Sequence, residues 1–491
     1  MRILVSLFLL LTSSVLFGQQ RFYKLYSGTG YDQGEDVLQL ADSSFVACGS
    51  SGSWDNNSQG FLLKLDKQGN YTWSQQYGGP ESEEIKRVAL RPGMGYYLMG
   101  CSASWNQGNL DPMLIYTDLA GNQQWIKTIS SESWERIYDG VMTKDTGLVV
   151  VGERQALGGG SADVLMIRYD KNGDTIWTKT FGTAGDDRAY SILRTQDSLF
   201  VVGGEWYVSD SSATKGFVLK MNDAGSILWQ DTVGHLSGQF QVFDLTETPF
   251  GYMFAGTHTV TNTNHNDFTG MVSLSGVITN QFSLGDTPLF SDNRVQQIAY
   301  VPQQGACAFG IQVHNTGTFS ESYDLNMGYA DALYGYWLGW PSTLILNQGY
   351  DYCGNIRPTS DGGYVAVGMN STLNDGQNQL NGGANVFVLK IDAAGGGFIK
   401  TDTVFTVHQL VGLEPITAQA HSIQVYPNPM SNEIHVHFDA QEAVQIGLYN
   451  AQGQLISSGL FFNEALFETT QLEAGTYILK VGTQGYPLLK Y

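Results

Sequence analysis

Apolar and polar residues alternate along most of this chain in short runs bounded by glycine, asparagine and aspartate. One stretch shows the pattern in full. Residues 147–152, Gly-Leu-Val-Val-Val-Gly, read as a strand, and a polar loop follows. Residues 163–170 form a second apolar run, the turn Lys171-Asn172-Gly173-Asp174 reverses the chain, and residues 175–181 form a third run. An Asn-Gly pair between two alternating runs predicts a β-hairpin, because both residues accept the backbone angles of a tight turn. Helical spacing of apolar positions is nowhere evident, so the expected fold is all-β.

The same unit returns along the chain. Its tryptophan recurs as Trp73, Trp125, Trp177 and Trp229, in steps of 52 residues, and a glycine four places earlier recurs with it as Gly69, Gly121, Gly173 and Gly225. A second glycine, closing the first apolar run, appears as Gly49, Gly100, Gly152, Gly203, Gly256, Gly310 and Gly368. Seven copies, spaced between 51 and 58 residues apart, predict seven stacked or radial units. Three strands per unit are plain and a fourth fits, which is the size of a propeller blade. A lone blade exposes two faces that only its neighbours can cover. The expectation is a seven-bladed β-propeller over residues 19–404, with the tryptophan as a packing residue of each blade.

Ring closure has two candidates. Residues 22–28, Phe-Tyr-Lys-Leu-Tyr-Ser-Gly, match the last strand of a repeat, with Phe22 in the tryptophan's place, and they precede the first complete copy. They would supply the outer strand of the seventh blade and cover its edge. Residues 399–404 compete for that place; the N-terminal strand is preferred. Later copies drift. The fifth has Asn280-Gln281 where the tryptophan belongs, and the longer sixth carries Tyr323, Tyr329, Tyr334, Tyr336, Trp337 and Trp340, of which Trp340 is read as the structural tryptophan.

Beyond residue 404 the pattern dissolves into a linker, 405–420, and a different module occupies 421–491. It opens on Tyr426-Pro427-Asn428-Pro429, continues in short alternating runs, and ends with a strand pair that contains Gly475, Tyr477 and Lys480. Several short strands separated by regular turn signals predict a small Ig-like β-sandwich.

Composition narrows the setting. At 491 residues the chain is long enough for two or more units. With 25 basic against 46 acidic residues, a net charge of −21, it lacks the basic surface that a nucleic acid requires. Residues 1–18 read as a secretory signal peptide: Arg2 supplies the positive start, and an apolar run follows that is short for a membrane span. No cysteine follows it to carry a lipid, and no later apolar run reaches the roughly 18 residues of a transmembrane helix. In an exported chain, Cys48, Cys101, Cys307 and Cys353 would form two disulfides between neighbouring repeats, or else remain as buried thiols.

One acid recurs just before the first strand of a repeat: Asp32, Glu83, Glu135, Asp187 and Asp351, with Gln239 replacing it in the fifth copy. Such acids would either ring one mouth of a central channel and hold a hard cation such as calcium, or cap each blade locally by hydrogen bonds. The local role is favoured, because a repeat copies structural residues whatever the function. Tyr329, Tyr334, Tyr336 and Trp337 exceed what the pattern needs and would line a sugar-stacking surface or fill a thicker blade. His435 and His437 share one strand face without neighbouring ligands. No Gly-x-Ser-x-Gly elbow, His-Glu-x-x-His pair or phosphate loop occurs, so no catalytic residue is assigned.

Two resemblances add to this reading. Phrases such as Asp361-Gly362-Gly363-Tyr364-Val365-Ala366-Val367-Gly368 and Phe387-Val388-Leu389-Lys390-Ile391-Asp392 resemble propeller-forming repeats of Bacteroidetes surface proteins. The C-terminal module resembles the sorting domain of the Bacteroidetes type IX secretion system: the Tyr-Pro-Asn-Pro opening, Leu-Tyr-Asn-Ala-Gln-Gly-Gln-Leu, and Leu-Glu-Ala-Gly-Thr-Tyr-Ile-Leu-Lys-Val occur in the family's order. The resemblance implies export through the periplasm, the type IX machinery as partner, and release or attachment at the cell surface. The expected work is non-catalytic binding, adhesion or scaffolding toward a surface glycan or a protein. The alternative is a polysaccharide-active enzyme in the propeller channel, which convergent, non-repeated polar residues at the channel mouth would favour.

Overall fold

The computed structural model describes residues 21–28, 30–53, 57–105, 109–129, 131–155, 161–208, 213–234, 238–261, 264–284, 293–315, 322–333, 337–342, 349–372, 384–393, 407–409, 424–426, 432–437, 444–450, 455–461, 464–472, 474–481 and 484–490. The chain divides into two compact units, residues 1–412 and 413–491. Every regular element among the described residues is a strand.

In the first unit, five four-stranded antiparallel sheets follow one another in sequence order. The third is representative: Trp134–Met142, Leu148–Gln155, Ala162–Tyr169 and Thr175–Phe181. The strand that alternation leaves obscure is the first of each blade, which precedes the three plain ones. A sixth blade holds Asn293–Val301, Ala306–Asn315, Ser322–Asp331 and Trp337–Ser342, and one parallel bridge, Tyr323 to Tyr350, joins its sheet to that of the seventh blade. The seventh holds Gly349–Pro358, Tyr364–Thr372, Asn385–Ile391 and, out of sequence, Phe22–Ser27. First strands of successive blades touch all the way round, the seventh meeting the first. They are the inner wall of a seven-bladed β-propeller.

The N-terminal strand closes the ring as expected. Phe22 lies opposite Lys390 and Tyr26 opposite Val386 in an antiparallel pairing. The recurring tryptophan and glycine explain each other across blades. A Cβ on Gly121, Gly173 or Gly276 would lie 2.7, 2.6 or 2.6 Å from the ring of Trp73, Trp125 or Trp229 in the preceding blade. The turn glycines have φ between +70° and +92°, which L side chains rarely adopt, so glycine serves both the turn and the seat of the ring. Phe22 takes the same seat on Gly69. The competing residues 399–404 lie outside the described residues. Val407–Gln409, expected within a linker, instead adds a parallel strand beside Phe22–Ser27, whose edge would otherwise leave its N–H and C=O groups unpaired.

Apolar residues are buried between blades. Tyr97, Met99 and Leu114 of the second blade, for instance, meet Ile137, Val150 and Ile167 of the third. These layers overturn the disulfide expectation: Cys48, Cys101, Cys307 and Cys353 are buried free thiols. Cys48 lies in the layer between blades one and two, and Cys101 in that between two and three. Cys307 lies between five and six, and Cys353 between six and seven. A whole sheet separates the members of each expected pair.

The second unit is a sandwich of two antiparallel sheets. Gln424–Tyr426, Glu433–His437 and Glu464–Glu468 form one; Leu455–Phe461, Val444–Asn450, Gly475–Val481 and Gln484–Lys490 form the other. Ile434, Val436 and Phe467 face Ile446, Leu448, Tyr477 and Leu479 in its core, as alternation requires.

Candidate ligand site in the axial channel

The glycine that ends each first apolar run is explained by the strand beside it. In all seven blades, the pairing of the first and second strands skips one residue of the first. The skipped residues are Glu35, Lys86, Tyr138, Tyr190, Phe243, Gln296 and Gly354. A β-bulge re-aims its extra residue, and all seven line one cavity of about 200 Å³. Across from the bulge the two backbones come so close that a Cβ on Gly49, Gly100, Gly152, Gly256 or Gly368 would lie 1.8–1.9 Å from a carbonyl oxygen of the first strand. In the fourth blade this glycine is Gly204, one residue after the expected Gly203, and in the sixth Gly310 faces Cys353 instead.

The cavity wall has two characters. Tyr138, Tyr190 and Phe243, from three successive blades, form an aromatic arc with ring centroids 5.2 and 5.1 Å apart. The two tyrosine hydroxyls are held from behind: Tyr138 donates to Glu153, and Tyr190 donates to Glu205 at 2.5 Å. Arg188 ties these carboxylates together, at 2.7 Å from Glu153 and 3.0 Å from Glu205. On blades one and two the wall is charged. Lys86 Nζ lies 2.7 Å from Glu35 and 3.3 Å from Glu84, and Arg136 donates twice to Glu84. Burial alone would lower the Lys86 ammonium, but Glu35 and Glu84 reverse this and hold its pKa raised.

The residue after each bulge belongs to a buried ring beneath: Asp36, Arg87, Asp139, Ser191, Asp244, Gln297 and Asn355. Its carboxylates stitch blades together. Asp36 accepts from Val88 N–H at 3.1 Å, Asp139 from Ile192 N–H at 2.8 Å, and Asp244 from Ile298 N–H at 2.9 Å. Arg87 donates to Asp139 at 2.5 Å and Ser191 to Asp244 at 2.9 Å. Asn355 and Arg357 donate to Asp36, which joins blade seven to blade one. Burial pushes the Asp244 carboxyl up to about 6, against the Ile298 N–H and Arg87. At Asp36, burial also acts upward, but Arg357 outweighs it and the pKa is lowered.

The five repeated acids lie elsewhere. Asp32, Glu83, Glu135, Asp187 and Asp351 are almost wholly buried, and each is bonded by its own blade or by the segment leading into it. Asp32 accepts from Gly28 N–H at 2.8 Å and from Ser53, and Glu83 from Ser102 at 2.8 Å. Glu135 accepts from Ser131 at 2.6 Å, Asp187 from Tyr207 N–H at 2.8 Å, and Asp351 from Asn370 at 2.7 Å. The main-chain N–H of the first four donates to a carbonyl of the preceding blade at 2.8–2.9 Å. This is the geometry of a local cap. Burial raises the carboxyls of Asp32 and Glu135. Among the described residues, no three His, Cys, Asp or Glu side chains stand close enough together to hold a metal ion.

Of the surplus aromatics, Tyr329 and Trp337 stand on paired strands, Tyr329 opposite Gly339 and Trp337 opposite Ala330. Tyr334 and Tyr336 lie outside the described residues. In the second unit, Tyr426 is on the first strand, Tyr477 is in the core, and Lys480 Nζ sits 5.3 Å from the centre of the Tyr449 ring. Gly475 begins its strand, and residues 427–429 lie outside the described residues. His435 Nε2 lies 3.0 Å from Glu433.

Residues 424–490 match the secretion system C-terminal sorting domain. That domain directs the chain to the cell surface or the extracellular space, by way of the type IX machinery with which it interacts. No curated protein matches the sequence. Among solved structures, the β-propeller domain of the Trilobed protease from Pyrococcus furiosus is 11% identical, with a TM-score of 0.42, covering 76% of this chain and 100% of that one. The Neurospora crassa Pan2 WD40 domain is 11% identical, with a TM-score of 0.39, covering 78% and 100%. PorZ, a surface component of the type IX secretion system of Porphyromonas gingivalis, is 10% identical, with a TM-score of 0.32, covering 95% and 75%. Scores this low add no weight to the blade pairings, from which the propeller is read directly. Among the described residues no helix is long and apolar enough to cross a membrane.

Proposed function

We propose that this secreted, type IX-sorted β-propeller is a non-catalytic binding protein that takes its ligand in the axial cavity. One observation carries the reading. The seven bulges place one residue each at equivalent points of the wall, six side chains and a glycine, and the residue types differ almost throughout: Glu35, Lys86, Tyr138, Tyr190, Phe243, Gln296 and Gly354. The ring beneath is a network tied by hydrogen bonds. A rigid scaffold under a diversified rim is the arrangement that lets repeated architecture acquire a specific site.

The same diversity favours a second reading, an enzyme acting on polysaccharide in the channel. Against it stand the partners of the carboxylates. Glu35 is held by Lys86 and Gln33, Glu84 by Lys86 and Arg136, and Glu153 and Glu205 by Arg188 and a tyrosine hydroxyl. A carboxyl that transfers protons must instead present an oxygen to substrate. Incubating the mature chain with each glycan it binds, followed by product analysis, decides between them. Binding without new products is expected; cleavage would make the chain an enzyme.

A further inference from the structure

We propose that the axial cavity binds one electrically neutral saccharide ring, a terminal or branch sugar of a glycan. This deepens the binding function proposed above and rests on it. Three observations lead here: size, surface and charge state.

At about 200 Å³ the cavity is smaller than the roughly 300–1,000 Å³ of drug-sized ligand pockets, so it accepts one ring and not a length of polymer. The arc of Tyr138, Tyr190 and Phe243 offers an apolar wall to a flat ring. A pyranose has the matching form, with C–H groups on its faces and hydroxyls around its edge. The tyrosine hydroxyls are already committed to Glu153 and Glu205, which fixes those rings in place before a ligand arrives. Binding then costs little side-chain ordering.

Charge decides the class. Lys86 is shared by Glu35 and Glu84, Arg188 by Glu153 and Glu205, and Arg87 is bound to Asp139. A cationic or anionic ligand would have to break one of these half-buried pairs and leave its partner exposed to desolvation without compensation. A hydroxyl donates to a lone pair and accepts from an N–H without breaking any pair. The floor supplies an unanswered acceptor. Gln297 lines the cavity, is 7% exposed, and its Oε1 has no hydrogen-bond partner. A ligand hydroxyl pointing down the axis satisfies it.

The test uses the mature full-length chain on a glycan array. Calorimetry with the methyl glycosides of the bound sugars follows, at low and at high salt, with arginine, tetramethylammonium and acetate as charged probes. Neutral glycosides should bind with an affinity indifferent to salt, weakened about tenfold or more in Phe243→Leu and in Gln297→Leu. Phe243→Leu keeps an apolar side chain at a partly exposed position, so a folded variant is expected, and its circular dichroism is checked first. Silence of the whole array, or salt-sensitive binding of the charged probes in preference to sugars, overturns the proposal. Glycoside binding unchanged in both variants also overturns it, while leaving a binding protein with its site elsewhere. Release of free sugar from a bound glycan would refute the non-catalytic function and leave the saccharide class standing.

Discussion

Gly173→Ala tests the contact that locks one blade to the next. Gly173 turns the chain at φ +80° and receives the Trp125 ring of the preceding blade. Placing a methyl group there has two costs. The left-handed backbone costs alanine about 1–2 kcal/mol. The new Cβ would also lie 2.6 Å from Cη2 and 2.9 Å from Cζ3 of Trp125, against a carbon–carbon optimum of about 3.5–4.0 Å. Something must move by about an ångström, which in a packed interface costs about 1–3 kcal/mol. The total is about 2–5 kcal/mol. Gly93 separates the two parts, because it has φ +71° and nothing within 4 Å of a Cβ; Gly93→Ala should cost the backbone part alone. Urea unfolding followed by tryptophan fluorescence is the assay, since all ten tryptophans precede residue 341 and report the propeller unit only. In a Trp125→Ala background the excess cost of Gly173→Ala should vanish, giving a coupling equal to that excess. An excess that survives the loss of the ring, or a Gly173→Ala no worse than Gly93→Ala, would refute the inter-blade lock.

Three further outcomes are expected. Asp267 is buried, its Oδ1 has no hydrogen-bond partner, and burial pushes it up to about 7. The folded state therefore keeps a proton that the unfolded state releases above pH 4, and stability falls as pH rises from about 4 to 7; Asp267→Asn should match wild type at pH 4 and gain on the order of 4 kcal/mol at pH 8 in urea titrations. Asp36→Ala removes the acceptor of Asn355, Arg357 and Val88 N–H together, and should cost about 3–5 kcal/mol in the same assay, whereas Lys127→Ala, which breaks an exposed pair with Asp174, should cost under about 1 kcal/mol. A chain ending at Ala420 should fold its propeller yet accumulate in the periplasm, read by fractionation and immunoblot; normal secretion would contradict the sorting role of residues 424–490.

Much of the propeller is legible in the sequence, because its architecture repeats residue types. Trp73, Trp125, Trp177 and Trp229 recur since every blade must cover the next, and the turn glycines recur since the ring sits on them. The repeated acids Asp32, Glu83, Glu135, Asp187 and Asp351 stand out for the same reason. What recurrence cannot reveal is a position that is constant while its residue changes, and the cavity wall is of that kind. Glu35, Lys86, Tyr138 and Gln296 share no chemistry, and the bulge that aims them breaks the strict alternation used to find strands. The glycine opposite was the available signal: a residue that no side chain can replace marks where two backbones crowd, and the cavity residue lies across from it. The disulfide expectation failed for a related reason. Equivalent places in adjacent repeats are near in sequence logic but lie on opposite sides of a sheet.

Closure by Phe22–Ser27 also sets the order in which the molecule can be completed. The strand's partner, Asn385–Ile391, lies more than 350 positions downstream, so the first described strand is seated only after the last blade has been synthesised. Until then the chain has two ragged ends, one at each side of an open arc, and the loop to be closed spans nearly the whole unit. Contacts of such span form late. Each blade can pair its own strands as it emerges, but the circle waits for the final hairpin. An incomplete chain, however well its early blades have formed, keeps an unsealed seam by which it can be told from a finished one.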